Sequence, residues 1–175
     1  PDGKYIFYGQ EDPVSKRTDK IFRHTVGTTS ADELIFEEAD LLYNVGIGRS
    51  RDKKMYFIGS YAKTSNEFWY LPAETPTGKF KMISKRREGH EYSADFNNGE
   101  FYIRTNKDAE NFKVVRAPLN DPSEKNWVDF VPYKPEIKIE DISFFKDHAV
   151  VSELENGLEY LRVMDMNTQR TSVRI

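Results

Sequence analysis

One three-strand pattern recurs four times along the chain, and this repeat limits the folds that the chain can adopt. The third strands are the clearest, and they are centred on Ile21, Phe68, Val114 and Tyr160, at steps of 47, 46 and 46 residues. Fourth strands follow at a similar interval, centred on Ile35, Met82, Val128 and Val173. A period of ~40–50 residues with four strands per repeat is typical of β-propeller blades, because one small twisted sheet must stack on others to bury both faces. The sequence therefore predicts an all-β fold of antiparallel blades.

The other strands of each repeat are also visible. Second strands begin at Tyr5, Tyr56, Tyr102 and Val150, and first strands lie around Ile47, Ala94 and Ile142. Extrapolation of this spacing puts the inner strand of the first repeat before Pro1. We therefore expect about four blades, the first without its inner strand, over residues 1–40, 41–88, 89–135 and 136–175.

The point in the repeat at which the chain begins and ends predicts that it is a fragment of a larger propeller protein. The last repeat ends on a fourth strand at Ile175, and no spare strand is left to complete the first blade. Residues 4–8 and 171–175 would then form unpaired edge strands, and such edges favour association with other strands. We expect the fragment to associate through them.

Composition excludes several classes of function. The 175 residues include 26 Lys and Arg against 29 Asp and Glu, for a net charge of −3, so no long-range field attracts nucleic acid or an anionic membrane. There is no Cys, which excludes disulfides and thiol nucleophiles, and no apolar run reaches the ~18 residues of a membrane span. We expect no nucleic-acid or membrane partner and a cytoplasmic location, with a periplasmic location as the alternative.

Ser50 is the one serine that approaches a nucleophile motif. Residues 48–52 (Gly-Arg-Ser-Arg-Asp) resemble the Gly-x-Ser-x-Gly elbow, but Asp52 stands where the second Gly would permit a tight strand-to-helix turn. The repeat assigns this loop to a hairpin between first and second strands. We therefore predict a structural Ser50 and no catalytic residue.

Acidic and histidine clusters do not form a convincing site. Glu37 and Glu38 are adjacent on a predicted strand and point to opposite faces, so they cannot act on one atom. The three histidines, at positions 24, 90 and 148, lack metal-ligand spacing, and residues 165–170 lack the Gly of a calcium loop. We expect neither metal nor cofactor, and we expect Trp69 and Trp127 to be core residues within strands.

Several sequence segments resemble the propeller of the prolyl oligopeptidase family of serine peptidases, and its oligopeptidase B branch in particular. They are residues 22–28 (Phe-Arg-His-Thr-Val-Gly-Thr), 34–40 (Leu-Ile-Phe-Glu-Glu-Ala-Asp), 87–92 (Arg-Glu-Gly-His-Glu-Tyr) and 101–106 (Phe-Tyr-Ile-Arg-Thr-Asn). Together with residues 64–67 and 111–113 they form an ordered series over nearly the whole chain.

The resemblance implies a portion of a seven-bladed propeller that caps an α/β-hydrolase domain absent from this chain. It implies a parent endopeptidase that cleaves short peptides after Arg or Lys by acyl transfer through an activated Ser. The chain itself lacks the Ser-Asp-His triad and should be inactive. Its implied partners are the hydrolase domain and short peptide substrates, and Arg49, Arg51, Arg86 and Arg87 are candidate rim contacts to that domain.

Two other functions stay open at the level of sequence. Small four-bladed propellers exist, so the chain could be a stand-alone interaction module without enzymatic activity, although the missing inner strand argues against a closed ring. A propeller glycosidase or sialidase would need acidic residues and an Arg cluster that converge on the tunnel mouth. The sequence shows no such convergence.

Overall fold

The computed structural model describes residues 3–175, which form two compact units, unit 1 over residues 3–89 and unit 2 over residues 90–175. Short antiparallel strands account for nearly all of the regular structure. Unit 1 contains β1 (Tyr5–Glu11), β2 (Thr18–Thr25), β3 (Glu33–Glu37), β4 (Asn44–Arg49), β5 (Met55–Tyr61), β6 (Asn66–Pro72) and β7 (Lys81–Ser84). Unit 2 contains β8 (Tyr92–Asn97), β9 (Glu100–Thr105), β10 (Lys113–Pro118), β11 (Val128–Val131), β12 (Ile137–Phe144), β13 (His148–Glu155), β14 (Leu158–Asp165) and β15 (Thr171–Arg174).

Unit 1 is built from two meander sheets. Sheet 1 has the order β1-β2-β3, and sheet 2 has the order β4-β5-β6-β7, with every neighbouring pair antiparallel. An apolar layer joins the two sheets: Ile21 of sheet 1 and Ile58 of sheet 2 are fully buried in it. Phe36 packs on Trp69 at its margin, with ring centroids 4.6 Å apart. Burial of this layer therefore holds sheet 1 on sheet 2.

Unit 2 repeats this arrangement. Sheet 3 comprises β8 to β11 and sheet 4 comprises β12 to β15, each in sequence order. Aromatic rings dominate the layer between them: Tyr102 lies 4.3 Å from Phe144 and 5.0 Å from Phe130, centroid to centroid. Val151 and Ala149 complete the layer and are fully buried.

The predicted all-β fold is confirmed, with four antiparallel sheets, the first of three strands. The repeat centres all lie within strands of the expected rank, so Ile21 lies in β2 and Phe68 in β6. The prediction for Trp127 was wrong in one respect: it lies between a single 3₁₀ turn at Glu124–Asn126 and β11, because the turn delays the strand by one residue. Trp69 lies within β6 as expected. No helix in the described part of the chain is long and apolar enough to cross a membrane.

Tyr61 rests on two glycines of sheet 2. Gly46 and Gly59 are directly paired across β4 and β5, and a Cβ added at Gly59 would overlap the Tyr61 hydroxyl. The same ring packs edge-on against Phe68, at a centroid distance of 5.4 Å. Tyr61 is 40% exposed, and the partial burial of its ring raises its pKa. The glycines therefore serve as a platform for an aromatic ring.

The layer between sheets 1 and 2 predicts a large effect of one core truncation. We expect Ile58→Ala to lower the free energy of unfolding by about 2–5 kcal/mol, because it leaves a cavity at a fully buried site. Leu42→Ala is the control, since Leu42 is 77% exposed, and it should cost under about 0.5 kcal/mol. Urea unfolding measures both values, and equal effects would contradict the assigned layer.

Candidate functional site

A network of polar side chains lies at one end of sheets 1 and 2, where β3 and β7 end and β4 begins. We call it the Glu38 network; its members are Arg17, Glu38, Tyr43, Ser60, Glu67 and Arg86. The strand register brings the members from sheet 2 together, because Asn44 pairs with Tyr61 and Tyr61 pairs with Asn66. Glu38 follows β3 directly and reaches this end of sheet 2 from sheet 1.

Glu38 is the centre of the network and is only 5% exposed. Its Oε2 accepts hydrogen bonds from Ser60 Oγ and from Arg86 Nη1, each at 2.7 Å. Its Oε1 accepts from Arg86 Nη2 at 3.2 Å and from the Asp40 amide at 2.9 Å. The carboxylate is therefore bound by a two-point contact with Arg86 and by two further donors, as a buried charge requires.

Arg86 is held on three sides. Its guanidinium lies 3.9 Å from the centre of the Tyr43 ring, and its Nε is 3.5 Å from Glu67 Oε1. The Arg86 amide also donates to Glu67 Oε2 at 3.0 Å. These contacts fix the segment that follows β7.

Arg17 fixes the link between the two sheets from the other side. It is 8% exposed, and its guanidinium donates to the backbone carbonyls of Glu38, at 3.2 Å, and Tyr43, at 2.7 Å. Tyr43 in turn contacts Ser65 through its hydroxyl, at 2.5 Å. Both ends of the link at residues 38–43 are thus hydrogen-bonded to charged or polar side chains.

The network does not have the chemistry of an acid–base site. Burial opposes ionisation of Glu38, but hydrogen bonds from Arg86, Ser60 and the Asp40 amide together lower its pKa. The hydrogen bond to Glu38 raises the pKa of Arg86. Both groups therefore stay charged near neutral pH, and the saturated carboxylate cannot exchange protons readily. The arrangement is that of a structural ion pair.

Ser50 has the structural role that was expected from the sequence. Its hydroxyl donates to Asp52 Oδ1 at 2.6 Å and accepts from the amides of Lys54 and Met55, at 3.1 and 2.9 Å. No histidine is among these partners, so Ser50 lacks the Ser–His pair that commonly activates a serine. Ser50 is 4% exposed and organises the turn between β4 and β5.

The other candidate groups lie apart from one another. Glu37 pairs with Lys20 at 3.3 Å, whereas Glu38 points into the network, so the two carboxylates do not converge. The Asp165 carboxylate accepts from the Asn167 and Thr168 amides, which is the geometry of a turn. His24, His90 and His148 lie on sheets 1, 3 and 4 or directly before them. Within residues 3–175, no group of three or more His, Asp or Glu side chains is placed to hold a metal ion.

The four candidate rim arginines do not form one patch. Arg49 ends β4 and Arg51 lies in the following turn, whereas Arg86 and Arg87 follow β7 at the opposite end of sheet 2. The six-residue strand β4 separates these ends by roughly 20 Å. Arg86 is committed to Glu38, and Arg49 and Arg87 are exposed. Their role as contacts to a hydrolase domain stays a prediction.

Sequence reasoning did not find the Glu38 network. The sequence marks Glu38 only as one of an acidic pair, and Arg86 only as a candidate rim contact. The hydrogen-bonded partners of Glu38 lie 22 and 48 residues away in sequence, about half and one full repeat. The one available signal was this spacing, since residues one repeat apart occupy equivalent places in stacked sheets.

Comparison with known proteins assigns the fold to a family. Residues 1–175 match the profile of the prolyl oligopeptidase N-terminal β-propeller domain. The chain belongs to this family. It is 39% identical over 165 residues to dipeptidyl aminopeptidase BI of Pseudoxanthomonas mexicana, and 34% identical over 163 residues to protease 2 of Moraxella lacunata. Each alignment covers 93% of this chain and 23% of the relative, so the chain spans about a quarter of their length.

Solved structures of oligopeptidase B are similar to this prolyl oligopeptidase propeller portion. The Trypanosoma brucei enzyme, in a closed form with covalently bound antipain, matches with a TM-score of 0.85 and 27% identity over 98% of this chain and 25% of its own. The Leishmania major enzyme matches with a TM-score of 0.87 and 25% identity over 97% of this chain and 24% of its own. The predicted family and its oligopeptidase B relatives are therefore confirmed, and the relatives extend well beyond the propeller portion.

Replacement of Ser50 separates a structural role from a catalytic one. We expect Ser50→Ala to lower the free energy of unfolding by about 1–3 kcal/mol, because two amides and Asp52 lose a buried partner. Any peptidase activity of the full-length protein, measured well below its melting temperature, should persist. A complete loss of activity in a folded variant would identify Ser50 as a nucleophile.

The lowered pKa of Glu38 predicts a pH dependence of stability. Unfolded glutamate has a pKa of about 4.3, so the stability that ionised Glu38 contributes is fully present above that value and is lost as the pH falls through the lower folded pKa. We expect Glu38→Gln to destabilise the protein at pH 7 and to do so much less in strongly acidic buffer. Urea unfolding across this range tests the sign, and a penalty independent of pH would refute it.

Proposed function

We propose that this chain is the propeller portion of a serine oligopeptidase and that it limits access of substrates to the active site of the full-length enzyme. The observation that carries the proposal is the match of residues 1–175 to the prolyl oligopeptidase propeller domain, together with the likeness to oligopeptidase B. The full-length enzyme would cleave short peptides after Arg or Lys, with a hydrolase domain as the partner of this chain. A folded protein would be excluded by its size.

The described residues support a noncatalytic role. A nucleophile elbow needs a strand, a tight turn and a helix, whereas the helical structure between residues 3 and 175 is limited to the turn Glu124–Asn126. The relatives are about four times as long as this chain, which leaves ample length for a catalytic domain elsewhere. Rigid stacked sheets can select substrates by access alone, without bond-making residues.

One observation favours a second specificity. The relative with 39% identity is named a dipeptidyl aminopeptidase, which acts on peptides with a free amino terminus. The full-length protein could therefore release dipeptides rather than cleave internally after Arg or Lys. The two specificities make different demands on the amino terminus of the substrate, so matched substrates separate them.

The proposal predicts which polypeptide cleaves which substrate. Full-length protein and residues 1–175 are each assayed with an amino-blocked Arg-Arg fluorogenic peptide, the same peptide with a free amino terminus, and a folded protein rich in surface Lys. We expect the full-length protein to cleave the blocked peptide and to leave the folded protein intact. We expect residues 1–175 to cleave nothing.

Each other outcome points to a different function. Cleavage of the free peptide alone would favour the dipeptidyl specificity. Rapid cleavage of the folded protein would contradict the access role, and activity of residues 1–175 would overturn the noncatalytic assignment. Inactivity of both polypeptides would leave the stand-alone interaction module as the better explanation.

A further inference from the structure

We infer that the Glu38–Arg86 ion pair is a clamp that keeps sheet 1 fixed on sheet 2 when the full-length peptidase opens to admit substrate. The inference rests on the access-limiting function proposed above. It assigns the Glu38 network a part in substrate selection, since a seam that is clamped cannot serve as an entrance. Opening would then take place elsewhere in the enzyme.

The clamp joins two separate sheets near their last strands. Glu38 directly follows β3 of sheet 1, and Arg86 follows β7 of sheet 2. The Ser60 hydroxyl, on β5 of sheet 2, makes a second contact to the same carboxylate at 2.7 Å. Sheet 1 is therefore tied to sheet 2 at two places through one side chain.

The hydrogen bonds between Arg86 and Glu38 fix the relative orientation of sheets 1 and 2, which the apolar layer does not. The layer around Ile21 and Ile58 resists separation of the sheets, but apolar contact has no preferred direction and permits small sliding movements. The two-point contact of Arg86 with Glu38 requires a fixed orientation, and a shift of about 1 Å would break one of its hydrogen bonds. The clamp therefore fixes the register of one sheet on the other.

The energetics also favour a positioning role. Burial of an ion pair costs desolvation that roughly cancels its attraction, so such a pair adds little net stability over apolar residues of the same size. Glu38 is 5% exposed and carries this cost in full. Orientation is the property that an apolar pair in its place would not provide.

Unit 2 offers a matched control. Glu153 is 3% exposed and is also bound by an arginine, since Arg162 Nε donates to its Oε1 at 2.7 Å. Glu153 and Arg162 lie on β13 and β14 of the same sheet, so this pair does not bridge two sheets. Loss of either carboxylate removes a buried charge, but only loss of Glu38 removes an ion pair between sheets 1 and 2.

The experiment uses the full-length protein with Glu38→Gln, Arg86→Met and the control Glu153→Gln. Two quantities are measured: amide hydrogen exchange of residues 38–43 and 85–88, and the ratio of kcat/KM for a 30-residue peptide to that for a short peptide with the same cleavage site. We expect both clamp variants to raise exchange in these segments about tenfold and to raise the ratio severalfold. The control should change neither. Arg86→Lys keeps the charge but loses the two-point contact, and it serves if Arg86→Met does not fold.

The two readouts keep this inference distinct from the proposed function. Unchanged exchange in the folded variants would show that the pair is no clamp. Faster exchange with an unchanged ratio would show that the seam between sheets 1 and 2 takes no part in access. A wild-type enzyme that cleaves long and short peptides equally well would instead contradict the access-limiting function itself, and the exchange data would still decide whether the clamp exists.

Discussion

A small antiparallel sheet has two faces and too few residues to cover either of them, so every sheet of this chain depends on stacking. Within unit 1 the layer around Ile21 and Ile58 meets this need, and within unit 2 the aromatic layer around Tyr102 and Phe144 does so. The short strands and tight turns suit this stacking. In a meander, each tight turn returns the chain to the same sheet, so all strands of a sheet face the same neighbouring sheet. The match to the family profile extends over all of these sheets, since it covers residues 1–175.

The polar network is compatible with this apolar construction because it lies at an end of the sheets. There, backbone groups of the link at residues 38–43 need partners in any case, and Arg17 supplies two of them. Glu38 then has four donors within reach, which makes its burial tolerable. The apolar layer holds the sheets together, and the network determines how they are aligned.

The fold could be predicted because the same order of strands recurs at one spacing in all four sheets. Strand ranks, the three-strand first sheet and the turn role of Ser50 all follow from phase and from local turn chemistry. The Glu38 network could not be derived in this way. Alternation along a strand shows which face a residue occupies but not its neighbour on the next sheet. The boundary of β11 was also missed by one residue, because the Trp127 amide still donates to the Glu124 carbonyl of the preceding turn. The role of the four arginines as contacts to a hydrolase domain stays a prediction, and the sequence did not show that they lie at two ends of sheet 2.

The platform under Tyr61 has a consequence for how sequences of this family can diverge. A side chain at Gly59 would occupy the volume that the Tyr61 ring now fills, and the exposed ring would then turn away from the sheet. A larger residue at Gly59 would therefore cost the edge-on contact between Tyr61 and Phe68. Homologues that carry a larger residue at the position of Gly59 are thus expected to lack this aromatic contact.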